Sequence, residues 1–217
     1  MKNLVKIVAG LRTTVRGFDG PAVSLVIAHH GRDPFFILVS CLLSLRTKDS
    51  ISLPVSLTLF QTVKNFNDLA AMPLAELEKR VYSTGFYRQK AKQLKAVARE
   101  IIVHYGGKVP STREELLALP GVGLKTTNLV LAEAFGIPAL CVDVHVHRIS
   151  NRLGLIATRT PEETEQALQK VLPKKYWPEW NNLLVVFGQH MCTSQSPHCS
   201  TCPLAKLCPK IGVTRSR

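Results

Sequence analysis

Four cysteines lie within seventeen residues near the end of the printed sequence, and they constrain its fold more than any other feature. They follow the spacing C-x6-C-x2-C-x5-C, at Cys192, Cys199, Cys202 and Cys208. A disulfide framework is disfavoured, because Lys6 and Arg12 interrupt the apolar N-terminal residues and no secretory signal is evident. Four thiolates so close together indicate a metal site, either a tetrahedral zinc ion or a [4Fe–4S] cluster.

The spacing of these cysteines favours the cluster without deciding the question. Structural zinc sites usually group their ligands as two close pairs, and here only Cys199 and Cys202 form such a pair. His198 is a possible zinc ligand in place of one cysteine, although four cysteines are already available. The two remaining cysteines, Cys41 and Cys141, lie among apolar residues and are predicted to be small core residues.

The charge of the chain narrows the class of partner. Lys and Arg number 28 against 15 Asp and Glu, which gives a net charge of +13 over 217 residues. A chain this basic attracts a polyanion, and nucleic acid is the usual one, although an anionic membrane surface has the same attraction. The longest nearly apolar run, residues 34–45, is shorter than the ~20 residues that span a bilayer. We expect a cytoplasmic, nucleoid-associated protein of one or two domains.

Helical periodicity dominates the chain and predicts about ten helices. The first helix face follows i, i+3, i+4, i+7 spacing through Leu4, Ile7, Val8, Leu11 and Val15. Cys141–His147 alternates in the manner of a strand, but a lone strand lacks a partner, so a helix is predicted there. The predicted caps are Thr112, Thr160, Asn67–Asp68, and Thr47 or Asp49.

A glycine-containing turn between two predicted helices is the second dense signal. Pro120 ends the first helix, and Gly121 and Gly123 permit a tight turn on either side of Val122. Free amides at the start of the following helix would form an anion site suited to a DNA phosphate. A P-loop is excluded because Leu124 separates Gly123 from the lysine and a helix precedes the turn.

Lys125 falls in the first turn of the following helix, where the macrodipole disfavours a cation. A residue that breaks a local rule is often functional, and the same field favours the neutral amine that a nucleophile needs. A surface lysine on a phosphate explains it equally well. Asp143 lies 18 residues further on and suits either a helix cap or a carboxylate beside a developing positive charge; the two roles are compatible.

The ordered combination of L-P-G-V-G-x-K-T, V-D-V-H-V-x-R and the cysteine cluster resembles the endonuclease III family of DNA glycosylases and AP lyases. The likeness extends upstream through Leu43–Asp49 and Gly85–Tyr87 and covers nearly the whole chain. It implies an all-α helix-hairpin-helix DNA glycosylase fold, with two helical domains flanking a DNA cleft and a C-terminal iron-sulfur cluster loop. Residues 27–137 would form a six-helix barrel, and residues 1–26 and 138–217 a discontinuous cluster domain.

The same resemblance implies a chemistry. Lys125 would attack C1′ of a flipped-out nucleotide in duplex DNA, expel an oxidised pyrimidine and form a Schiff base, before β-elimination cuts the strand. Asp143 would assist electrostatically and help to remove a proton. The implied DNA contacts are Arg46, Phe86, Gly121, Val122, Gly123 and His145. Cys192, Cys199, Cys202 and Cys208 would hold a [4Fe–4S] cluster, and the enzyme would act as a monomer.

Three departures from the family pattern accompany the likeness. Arg46 stands where most members carry Gln, which puts the preference for the base opposite the lesion in doubt, and Val144 replaces a common Thr. The loop of residues 193–198 lacks the basic residues that relatives place there. Other cations would then contact DNA: Lys206, Lys210, Arg215 and Arg217, and a helical stripe of Arg88, Lys92, Lys95 and Arg99 that is equally explained as a solvated face.

Two alternatives remain at the level of sequence. A monofunctional mismatch or uracil-type glycosylase is disfavoured by Lys125, which such relatives usually lack. A non-catalytic DNA-binding module with a zinc site predicts a colourless protein that does not cleave DNA, whereas an iron-sulfur protein is brown.

Overall fold

The computed structural model describes residues 3–217 and divides the chain into two compact units. The terminal unit combines the chain up to Gly20 with Leu140–Arg217, and the central unit is Pro21–Ala139. All regular secondary structure in the described residues is helical, which confirms the predicted all-α class. No helix in residues 3–217 is both long and apolar enough to cross a membrane.

The central unit contains eight helices, three of which have only six or seven residues. They are α2 (Ala22–His30), α3 (Pro34–Ser44), α4 (Asp49–Leu59), α5 (Phe66–Ala71), α6 (Leu74–Arg80), α7 (Tyr87–Tyr105), α8 (Arg113–Ala118) and α9 (Leu124–Phe135).

Helix α3 forms the centre of this unit because it is apolar on every side. Ile37, Leu38, Val39 and Leu43 are completely buried, as expected for a helix without a polar face. It packs against α2, α4, α7 and α9, so four neighbouring helices surround it. Cys41 is buried in the same helix, which confirms its predicted place in the core.

The terminal unit is built from α1 (Leu4–Val15), α10 (Val144–Arg152), α11 (Pro161–Val171), α12 (Trp177–His190) and a short 3-10 helix (Lys174–Tyr176). Helix α1 buries four of its five predicted face residues and packs on α12, while α10 packs on α11 and α12. Trp180 is completely buried among them. Chain segments far apart in sequence therefore share one core here.

Two of the predicted helix caps are confirmed and the others are wrong. The Thr112 and Thr160 side chains accept from the backbone amides of Glu115 and Glu163, as predicted. The prediction of Asn67–Asp68 was wrong, because Asn65 accepts from the Asp68 amide and starts α5. Neither Thr47 nor Asp49 caps α4: Asp49 lies inside the helix and accepts from the Ala22 amide at 3.2 Å. Thr47 uses its hydroxyl elsewhere.

The alternating segment Cys141–His147 contains no strand, which agrees with the prediction. The predicted helix covers only the second half of the segment. Cys141 and Val142 are buried without regular structure, and α10 begins at Val144. The helix starts there because Asp143 occupies the N-cap.

Candidate functional site

The hairpin between α8 and α9 leaves backbone amides facing outwards. Gly121 has φ +70°, a conformation that side chains disfavour, and both Gly121 and Gly123 are exposed. In the described part of the chain, neither of their amides donates to a backbone carbonyl. Val122 is buried and anchors the turn in the core. The turn therefore presents unpaired donors to an anion at the start of a helix.

Gln93 of α7 holds this turn in place. Its side-chain amide donates to the carbonyls of Pro120 at 3.2 Å and Gly121 at 3.0 Å. A Cβ on Gly121 would displace the Gln93 side-chain amide, and the positive φ of this residue itself favours glycine. Nothing in the sequence singles out Gln93, because a glutamine on an amphipathic helix is typical of a solvated face.

Lys125 is exposed and is the second residue of α9, so it lies in the first turn as predicted. Acidic residues are absent from that turn. The charge of Lys125 acts on the buried thiol of Cys41, but burial raises the pKa of that thiol to about 12. Cys41 therefore stays neutral, and Lys125 is the nucleophile candidate of this surface.

Arg46 and Phe86 are brought together at the surface of the central unit. The Arg46 guanidinium lies over the Phe86 ring, 5.6 Å from its centroid, and Phe86 is 58% exposed. Both residues have positive φ, at 53° and 58°. The residues come from two turns, one between α3 and α4 and one before α7.

Asp143 uses one carboxylate oxygen as a cap. Its Oδ1 accepts from the amides of His145 and Val146, each at 2.9 Å. Within residues 3–217 no hydrogen bond engages Oδ2, and the residue is only half-buried. One oxygen is thus fixed by the helix while the other stays available.

The half-buried His145 packs its ring against α12. Its Nδ1 lies 3.1 Å from an Arg148 nitrogen, and a Cβ on Gly188 would collide with the same atom. The Arg148 guanidinium also donates to the carbonyls of Gly188 and Cys192. The start of α10 is therefore connected through His145 and Arg148 to the segment that opens the cysteine cluster.

All four clustered cysteines line one pocket in the terminal unit, with a volume of about 420 Å³ that includes its open mouth. Among the described residues, no three His, Cys, Asp or Glu side chains converge closely enough to hold a single metal ion. A Cys₄ zinc site needs all four sulfurs about 2.3 Å from one ion. The four cysteines nevertheless share one cavity, which is the arrangement that a group held by four thiolates requires.

Donors around these sulfurs suit thiolate ligands. An Arg152 nitrogen donates to Cys192 Sγ at 3.4 Å, and the Lys210 amide donates to Cys208 Sγ at 3.3 Å. Burial raises the pKa of the Cys202 and Cys208 thiols, so a bound cation is needed to keep them deprotonated. This donor set meets the requirements of a four-thiolate iron-sulfur cluster.

The predicted basic stripe on α7 is interrupted. Lys95 donates to the carbonyls of Leu69, Ala70 and Met72 at the end of α5, so its ammonium is already engaged by the backbone. The other stripe members are exposed, as are the C-terminal cations: Arg88, Lys92 and Arg99, and Lys206, Lys210, Arg215 and Arg217.

Family models match both parts of this geometry. The model of the HhH-GPD superfamily base excision DNA repair protein matches residues 39–174, and the iron-sulfur binding domain of endonuclease III matches residues 192–208. The chain is 47% identical to endonuclease III of Thermotoga maritima over 180 residues, which cover 83% of this chain and 84% of that protein.

Solved structures are similar over the same range. A trapped covalent intermediate of endonuclease III with DNA, an estranged-adenine complex, superposes with a TM-score of 0.78 at 40% identity and covers 82% of this chain and 84% of that one. A thermostable thymine-DNA glycosylase superposes with a TM-score of 0.82 at 30% identity and covers 96% of both chains.

Proposed function

The chain belongs to the endonuclease III family of the HhH-GPD superfamily of base excision DNA repair proteins and is a DNA glycosylase with AP lyase activity; we propose that it removes oxidised pyrimidines from duplex DNA through Lys125 and Asp143. A monofunctional glycosylase and a non-catalytic zinc module have no support in these findings.

The observation that carries the assignment of the nucleophile is the position of Lys125. It lies in the first turn of α9, directly after the exposed amides of Gly121 and Gly123. Amides at a helix start bind a phosphate of the DNA backbone without reading its sequence. A phosphate held there would bring a neighbouring sugar towards the Lys125 amine.

Lys125 acts by displacement of the base at C1′ and then by elimination at the sugar. The neutral amine attacks C1′, the glycosidic C–N bond breaks, and the base leaves with the bonding electrons and takes up a proton. The ring opens to a Schiff base between Nζ and C1′. Loss of a C2′ proton then expels the 3′ phosphate by β-elimination, and water hydrolyses the imine to free the lysine.

Asp143 contributes charge to this reaction. The oxygen Oδ1 is held by two amides, which fixes the orientation of the carboxylate. The available Oδ2 would stabilise positive charge as the glycosidic bond breaks and accept a proton from the nucleophile or from water. A preoriented carboxylate of this kind needs little reorganisation during the reaction.

Arg46 and Phe86 would occupy the space that the extruded nucleotide leaves in the stack. Phe86 presents an exposed apolar ring, which suits a wedge between bases. The Arg46 guanidinium would donate hydrogen bonds to the base left without a partner. The half-exposed His145 would contact the DNA beside Asp143.

The chain carries a [4Fe–4S] cluster, and we assign Cys192, Cys199, Cys202 and Cys208 as its ligands. The cluster supplies a rigid cross-link for a segment that has little regular structure of its own. We further propose that one chain acts alone on nucleoid DNA, since both Lys125 and Asp143 come from the same polypeptide.

Borohydride trapping tests the nucleophile. The protein is mixed with a labelled duplex that carries one oxidised pyrimidine, or one abasic site, and is then reduced. The expected result is a covalent complex with both duplexes, absent in Lys125→Gln and retained in Lys170→Gln, an exposed lysine of the terminal unit. Trapping by Lys125→Gln at the wild-type level would refute the assignment. Trapping on the abasic duplex alone would refute the proposed substrate class.

A further inference from the structure

Arg46 and Phe86 adopt backbone conformations that side chains avoid. Three non-glycine residues in the described part of the chain have positive φ, and these are two of them; Lys210 is the third. Such conformations persist only where the surrounding contacts impose them. The contacts around these two turns therefore show what holds Arg46 and Phe86 in place.

Thr47 joins the two turns. Its hydroxyl accepts from the Gly85 amide at 3.1 Å and from the Lys90 ammonium at 2.6 Å, and it donates to the Leu45 carbonyl at 3.4 Å. A hydroxyl has two acceptor sites and one donor, so its full capacity is used. The residue after Arg46 is thereby tied to the residue before Phe86.

Lys90 anchors this junction in the core. The residue is only 4% exposed, and its ammonium also donates to the Leu43 carbonyl at 2.7 Å, in the last turn of α3. The negative end of the helix dipole favours a cation there. No carboxylate lies within 4 Å of it in residues 3–217, and burial lowers its pKa to about 8. A lysine buried without a counter-ion indicates a constraint that packing alone does not explain.

Gly85 lets the two turns touch. A Cβ at this position would lie 3.0 Å from the Arg46 carbonyl oxygen and 3.5 Å from Thr47 Oγ1. The backbone of one turn is therefore in direct contact with the other, and the Arg46 guanidinium stacks on the Phe86 ring above them.

We propose that Thr47 and Lys90 are positioning residues that lock Arg46 and Phe86 into one rigid pair before DNA is bound, and so set the enzyme's discrimination among bases opposite the lesion. The proposal rests on the role assigned above to Arg46 and Phe86. A preassembled pair avoids the entropy cost of ordering two turns on the DNA. It also presents the guanidinium in one orientation, so that opposite bases with different acceptor patterns bind with different affinity.

Four variants separate this role from packing. Thr47→Val keeps the shape but removes the hydroxyl, and Thr47→Ser keeps the hydroxyl. Thr62→Val is the matched control, because the Thr62 hydroxyl also accepts from a cation, Arg80 at 2.8 Å, in the same unit. Lys90→Met serves if Thr47→Val does not fold, since it removes the ammonium while keeping the length of the side chain.

The assay uses duplexes with an oxidised pyrimidine opposite each of the four bases, and a set with 2-aminopurine opposite the lesion. For Thr47→Val we expect KM to rise about tenfold, the differences among opposite bases to shrink by a similar factor and 2-aminopurine fluorescence in the complex to change. The trapped yield at saturating DNA stays at the wild-type level, because Lys125 is untouched. Exchange of the Gly85 amide hydrogen in the free protein becomes faster. Thr47→Ser and Thr62→Val behave like the wild type.

Two further variants distinguish failure of this inference from failure of the role it rests on. If Arg46→Ala and Phe86→Ala leave opposite-base discrimination and fluorescence unchanged, the assigned role of the pair is wrong and the inference falls with it. If those variants change both readouts but Thr47→Val matches the wild type, the inference alone is overturned. Equal effects of Thr47→Val and Thr47→Ser would also overturn it, because the hydroxyl would then not be responsible.

Discussion

The two oxygens of Asp143 predict a separation between stability and catalysis. Oδ1 caps α10 through the amides of His145 and Val146, while Oδ2 is available for the reaction. Asn is as good an N-cap as Asp, but it carries no charge. Asp143→Asn should therefore keep the cap and lose the catalytic charge, whereas Asp143→Ala should lose both.

The expected magnitudes follow from these contacts. Removing an N-cap costs about 1 kcal/mol, and loss of a charge at a helix start adds about 0.5 kcal/mol. For a chain of this size, 1 kcal/mol corresponds to roughly 2–4 °C in Tm, so Asp143→Ala should melt about 4 °C lower and Asp143→Asn about 1 °C lower. Single-turnover base excision should fall about a hundredfold in both, because each lacks the preoriented carboxylate.

Thermal melts of the cluster-containing protein and single-turnover excision on one lesion duplex measure the two effects. Thr160→Ala is the control: it removes the N-cap of α11 in the same unit, so its Tm should fall while excision stays at the wild-type rate. Excision by Asp143→Asn at the wild-type rate would refute the role of the charge. Equal melting temperatures for Asp143→Ala and Asp143→Asn would refute the role of Oδ1 in the cap.

Two further predictions concern the central unit. Gly121→Ala should destabilise the protein by about 1–2 kcal/mol and weaken its binding to undamaged duplex, because φ is +70° and the new Cβ meets Gln93. Thermal melts measure the stability, and anisotropy titrations measure the DNA binding. The control is Gly17→Ala, which has open space around it and should change neither quantity. Because the pKa of Lys90 is about 8 in the folded protein against 10.5 for an ordinary lysine, the folded state binds fewer protons between these values and stability rises with pH. Wild type should gain about 2 kcal/mol relative to Lys90→Met between pH 7 and 10 in denaturant titrations, and parallel pH profiles would contradict this.

The sequence predicted those parts of the fold that depend on near neighbours in the chain. Thr112 and Thr160 cap their helices as their spacing indicates, and the α1 face buries the residues that its periodicity selects. The same local rules failed at Thr47. Threonine is a good N-cap residue, but the Thr47 hydroxyl accepts from Gly85 and Lys90 and does not cap α4. The prediction that Lys95 belongs to an exposed basic stripe failed for a similar reason. Its charge indicated an exposed side chain, but its ammonium donates to three carbonyls at the end of α5.

By itself, the sequence determined the helical class, the hairpin with Lys125 in the first turn of a helix, and the cysteine spacing that an iron-sulfur group requires. These features follow from residues a few positions apart, because helix periodicity, capping and ligand spacing are local. Only the tertiary structure decided which polar groups meet across the core. Thr47 contacts Gly85 across 38 positions and Lys90 contacts Leu43 across 47. Such pairs depend on how α3 and α7 pack against each other. This packing is driven by burial of apolar surface, which is non-directional, so the sequence pattern does not indicate which residues will meet.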